Sequence, residues 1–194
     1  LCVAAAATAA QSAEVYQADA VKAAFLYRFT GYVDWPPAAL RHTEFTIAIL
    51  DSDAVADELS RFLTQHSIKN LPAQVRKIHS VDEAAGAQML YVGQVYTGEL
   101  HALVNALGVQ PVLVITDREG ALEEGSAINF LLVDRRVRFE ISLAATGKAG
   151  LQVGPPLLSV AAHVEGAPRP DLSCAPVPPT QDDDHKCIPP APHS

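Results

Sequence analysis

The period with which apolar positions recur changes along this chain, and each change predicts an element. Val21, Ala24, Phe25, Phe29, Tyr32 and Val33 recur at steps of three and four, the signature of one helix face, with Asp19 placed to cap it. Trp35-Pro36-Pro37 ends that helix, because proline lacks the amide proton and restricts the residue before it. Phe45 to Leu50 (FTIAIL) is short, apolar and rich in strand formers, and Asp51, Ser52 or Asp53 then caps a helix running to about Thr64. Ala73 to Ile78 and Gln88 to Val92 predict further strands, followed by a helix from about Thr97 to Leu107. Pro111 to Thr116 (PVLVIT) is so continuously apolar that it predicts a strand covered on both faces.

Beyond Thr116 the period shortens to two. Ile128 to Val133 and Val137 to Ser142 flank Asp134-Arg135-Arg136, and Val137, Phe139 and Ile141 alternate with Arg138, Glu140 and Ser142. That alternation predicts a β-hairpin with one polar face. Gly150 marks a break, and Pro155-Pro156 suits the first turn of a last short helix through about His163. Strands alternating with helices and closing on an antiparallel pair predict an α/β fold. The expected architecture is a single layered domain with a mixed, mainly parallel sheet flanked by helices.

At 194 residues, and roughly 150 residues per domain, the chain holds one domain with appendages. The start, LCVAAAATAAQSA (residues 1–13), reads as the remnant of a secretory leader: it is small-residue-rich, and Thr8 with Ala10, or Ala10 with Ser12, fit a peptidase's two positions. Export to the periplasm is therefore the expectation. The domain spans residues 18–164, and residues 165–194 form a Pro-rich tail carrying eight of the fourteen prolines and no aromatic residue. Such a composition buries too little apolar surface to offset its ordering entropy. Cys174 and Cys187 lie in this tail, where an oxidising compartment would let them close a short loop.

Fourteen Lys and Arg stand against 22 Asp and Glu, a net charge of -8, which argues against a nucleic-acid partner, whose footprint is basic. Arg135, Arg136 and Arg138 do gather, but beside Asp134 and Glu140 they read as a solvated hairpin. Enzyme signatures are absent: no GxGxxG, P-loop, HExxH, GxSxG or CxxC occurs, and no two of the seven histidines stand at i, i+4. No catalysis, cofactor or metal is expected. Ligands in α/β folds gather outside the carboxyl ends of strands, which nominates Asp51, Gly93, Gln94 and Asp117 as a crevice. Asp51 reads first as a helix cap and Asp117 as a turn former. The other reading makes them acceptors for a small polar ligand, in a module serving a sensor kinase or transporter.

Taken together, VKAAFLYRFTGYVDWP (Val21 to Pro36), PVLVITD (Pro111 to Asp117), INF (Ile128 to Phe130), VRFEIS (Val137 to Ser142) and AGLQVGPPLLSVA (Ala149 to Ala161) resemble the ordered blocks of the YfiR-like family. Ser142 stands where that family's block is expected to carry asparagine. The resemblance implies a non-catalytic periplasmic regulator. Such a protein binds the periplasmic domain of an inner-membrane diguanylate cyclase or sensor, is itself sequestered by an outer-membrane lipoprotein, and forms a homodimer as a further option. Aromatic and arginine side chains anchor interfaces, so Tyr27, Arg28, Tyr32 and Trp35 are the candidate partner-binding residues. For Trp35 the competing role is a plug at the chain's corner.

Overall fold

Every residue of Phe45–Leu50 is buried, and the rest of the molecule is arranged around that strand. A computed structural model describes residues 3–64 and 66–166, with side chains from Ala18 onward. In chain order the elements are α1 (Val3–Tyr32), β1 (Val33–Asp34), β2 (Phe45–Leu50), α2 (Asp53–Leu63), β3 (Ser67–Ile68), β4 (Leu71–Ile78), β5 (Met89–Val92), α3 (Leu100–Leu107), β6 (Leu113–Thr116), β7 (Ile128–Val133), β8 (Arg136–Ser142), α4 (Leu143–Lys148), β9 (Gln152–Val153), α5 (Pro155–Leu158) and β10 (His163–Glu165). The main sheet runs β10-β8-β7-β6-β5-β2-β4-β3, and β1 pairs with β9 apart from it. β4, β2, β5, β6 and β7 are mutually parallel, and β8 returns antiparallel beside β7. This is the predicted mixed, mainly parallel α/β sheet.

Successive residues of the central strands point to opposite faces, and each face has its own core. Ile47, Ile49, Met89, Tyr91, Leu113 and Ile115 meet α1 and α2 on one side. Ala48, Leu50, Leu90, Val92 and Val114 meet α3 on the other. Helices on both faces explain why these strands read as unbroken apolar runs.

Several boundaries differ from the sequence expectation. α1 begins at Val3, so Asp19 lies inside the helix and does not cap it; the alanine-rich stretch before it consists of strong helix formers. The buried side of α1 carries Ala23, Leu26, Phe29 and Thr30, continued by Val33 of β1, and is rotated from the predicted face so that Leu26 is in and Tyr32 is out. The last helix stops at Leu158, and His163–Glu165 instead forms β10, parallel to Glu140–Ser142 of β8. Glu165 therefore belongs to the sheet, one residue past the expected domain end. Cys174, Cys187 and the Pro-rich tail lie outside the described residues. Among the described residues no helix is long and apolar enough to cross a membrane.

Candidate functional site

The crevice at the carboxyl ends of β2, β5 and β6 is closed by the protein's own groups. Gly93 donates its amide to Leu50 O at 2.8 Å, and a Cβ at Gly93 would stand 2.3 Å from Asp51 O. Glycine is required there because two backbones touch. Asp51 turns the chain with φ 53, and Ser52 takes the N-cap position of α2 without a side-chain cap bond. Gln94 is exposed.

Asp117, at the end of β6, is nearly buried and is held from two sides. Lys22 of α1 forms an ion pair with its Oδ2, and the Tyr91 hydroxyl donates to the same oxygen at 3.4 Å. Asp19 lies one helical turn from Lys22, at 3.8 Å. Burial pushes the Tyr91 phenol far above its ordinary range, and the Asp117 charge adds to this. Burial also holds the Asp19 carboxyl above its ordinary value, against the opposing pull of Lys22. The cluster thus fastens α1 over the sheet, and Asp117, the crevice acceptor proposed from sequence, is engaged internally. Lys22 and Tyr91 were not singled out in the sequence, because an isolated lysine on a helix and a tyrosine in a strand carry no local signal of each other.

The blocks that carry the family resemblance meet in space. Phe25 and Phe29 of α1 pack on Phe130 of β7 and Phe139 of β8, with ring centroids 5.0 Å apart for Phe29 and Phe139 and 5.5 Å for Phe25 and Phe139. Gly154 donates to Tyr32 O at 2.7 Å, which joins the end of α1 to the block that opens α5. Asn129 of the INF block is fully buried: its Oδ1 accepts from Thr116 Oγ1 at 2.8 Å and from the Arg118 amide at 3.1 Å, and its Nδ2 donates to Glu140 at 2.9 Å. Ser142 caps α4 by accepting from the Ala145 amide at 3.3 Å. Asparagine caps equally well, so this departure keeps the local chemistry. Trp35 is a plug: it is buried, its indole donates to Gln88 O at 3.0 Å, and its ring meets Phe45 edge-on at 5.1 Å. It has no surface to offer a partner, since the chain turns inward at the two prolines.

The remaining anchors do share an outer face. Tyr27 of α1 packs against Phe62 of α2 and against His66, each at 5.3 Å, while His66 stacks on Phe62 at 5.5 Å. Tyr32 and Phe62 keep 42% and 44% of their surface exposed, and Arg28 is exposed too. A shallow groove of about 530 Å³ runs past Tyr27, Arg28, Tyr32, Ile68 and Lys69. Phe62 and His66 escaped sequence reading because Phe62 sits at the margin of the stripe formed by Val55, Leu59 and Leu63, and His66 follows the helix end. Aromatic rings held rigid by one another, with a cation beside them, lose little entropy on binding.

Among solved structures, an ABC domain in complex with L-Trp from Streptococcus pneumonia aligns at 10% identity and a TM-score of 0.45, covering 67% of this chain and 56% of that chain. A family model described as YfiR/HmsC-like matches residues 19–162.

Proposed function

Because the chain belongs to the YfiR/HmsC-like family, we propose that it is a non-catalytic periplasmic regulator that binds and restrains a membrane-bound diguanylate cyclase. The observation that carries this reading is the extent of the match, which runs from Asp19 to Ala162 and takes in α1 from Asp19 onward, both cores and the hairpin. The outer face of α1 and α2 supports it. Tyr27, Arg28 and Tyr32, joined by Phe62 and His66, form an exposed aromatic surface beside a groove. Such a surface suits the periplasmic domain of the cyclase, with Tyr32 and Phe62 as its anchors.

Deleting the gene is expected to raise cellular cyclic-di-GMP, and an exported copy to restore it. Unchanged cyclic-di-GMP where the gene is expressed would sink the proposal. Tyr32→Ala and Phe62→Ala are expected to weaken capture of the cyclase from crosslinked membranes at an unchanged melting temperature. Parallel losses of capture and stability would instead assign these rings to packing alone.

A further inference from the structure

The hairpin of β7 and β8 is buried at its base and exposed toward its turn. Phe130 and Phe139 are paired and buried, yet two residues further toward the tip Leu132 is 71% exposed, and Val133 is 45% exposed. Side chains alternate along a strand, so Leu132 continues the face of Phe130 while Val133 stands on the opposite one. The tip is aliphatic on both sides. Arg136 pairs with Val133 and Arg138 with Leu131, so both arginines share the Val133 face, and Arg135 follows Asp134 in the turn. These three arginines and Asp134 are exposed, in a chain whose net charge is -8.

The turn itself is strained. Val133 pairs with Arg136, leaving a two-residue loop in which Asp134 and Arg135 both have positive φ, 49 and 60. Loops of this type favour Asn-Gly, and a left-handed arginine is disfavoured. Backbone held in such sparsely populated regions clusters at functional sites. Among the described residues, β10 pairs with β8 only from Glu140 to Ser142.

We infer that this hairpin tip docks on an anionic phospholipid surface, with Leu132 and Val133 entering the headgroup boundary and the arginines reaching the phosphates. A flat protein surface meets one face of a hairpin, whereas a fluid bilayer boundary admits aliphatic groups from both. Arginine stems lie along apolar surface while the guanidinium stays at the polar level, and the attraction is local, so it operates despite the acidic remainder of the chain.

The test is co-sedimentation of the full chain with vesicles of phosphatidylethanolamine and phosphatidylglycerol, compared with phosphatidylcholine alone. These vesicles contain no protein, so the result stands apart from the identity of any cyclase. The wild-type chain is expected to bind the anionic vesicles, to bind phosphatidylcholine weakly, and to be released by salt. Arg136→Glu combined with Arg138→Glu is expected to weaken partition about tenfold or more, and Leu132→Asp to do likewise, while Val109→Asp, at an exposed aliphatic residue after α3, binds as the wild type. Equal binding to both vesicle types, no binding at all, or undiminished binding by the arginine variant overturns the inference. Undiminished binding that turns up only with another protein on the vesicles also overturns it, and assigns the edge of β8 to strand addition.

Discussion

Lys22 and Asp117 sit where a helix meets the carboxyl edge of a sheet, and what they contribute depends on removing one without the other. Asp117→Asn removes the closer partner of Lys22 and leaves it only Asp19, at 3.8 Å. A fully buried pair broken this way loses about 3–5 kcal/mol; the Lys22 side chain keeps 15% exposure, and the expected loss is about 2 kcal/mol in urea melts. Asp19 behaves in the opposite sense. Burial first, then the charges of Asp117 and Glu58, hold its carboxyl above the ordinary 3.8. The native state therefore keeps a proton that the unfolded chain has released, and stability from this group falls as pH rises from 3.8 through the folded value. Asp19→Asn is expected to flatten that acid-range slope and to leave the neutral melting temperature equal or higher; a clear fall would mean that the Lys22 attraction outweighs burial. Gly93→Ala places a methyl group 2.3 Å from Asp51 O, a backbone contact that cannot rotate away. Its cost should be about 3 kcal/mol by urea midpoint. An unchanged midpoint would mean that the crevice has room for a ligand after all.

At the scale of elements, what could be read from the sequence followed from length and period. β2, β5 and β6 were legible because a strand buried on both faces is apolar at nearly every position, and the hairpin because its two faces differ. β1, β3, β9 and β10 are two or three residues long, too short to show any period. α4 left a readable trace in Ser142, whose cap opens it, but it follows β8 with no intervening turn residue. Of the residues proposed to bind a partner, Tyr27, Arg28 and Tyr32 lie on the outer face of α1. Trp35 does not, and a tryptophan beside two prolines can plug a corner or crown a surface with the same local sequence. β10 makes a further expectation testable. A chain ending at Ala162 lacks the strand that covers Glu140 to Ser142. Its melting temperature should fall by roughly 2–4 °C, equivalent to about 1 kcal/mol in a domain of this size. No fall would mean that β10 adds nothing to the domain and would leave Glu165 in the tail.

At the scale of the whole molecule, the eight-stranded sheet carries a core on each face, with β1 and β9 paired apart from it, so its central strands belong to both cores. That arrangement makes β2 the shared wall: Ile47 and Ile49 serve the face under α1 and α2, and Ala48 and Leu50 the face under α3. The strand order has a kinetic consequence. β5 to β6, β6 to β7 and β7 to β8 each join strands that follow one another along the chain, but β2 must reach β5 across the intervening β3 and β4. Closing that loop costs entropy before either core can form, which places the union of β2 with β5 at the barrier between the unfolded and native states. Ala48 lies at its centre, in register with Leu90. Ala48→Gly should accordingly slow refolding several-fold in stopped-flow urea jumps while the unfolding limb stays in place. If the unfolding limb moves instead, the two halves of the sheet assemble first and β2 is the seam that closes last.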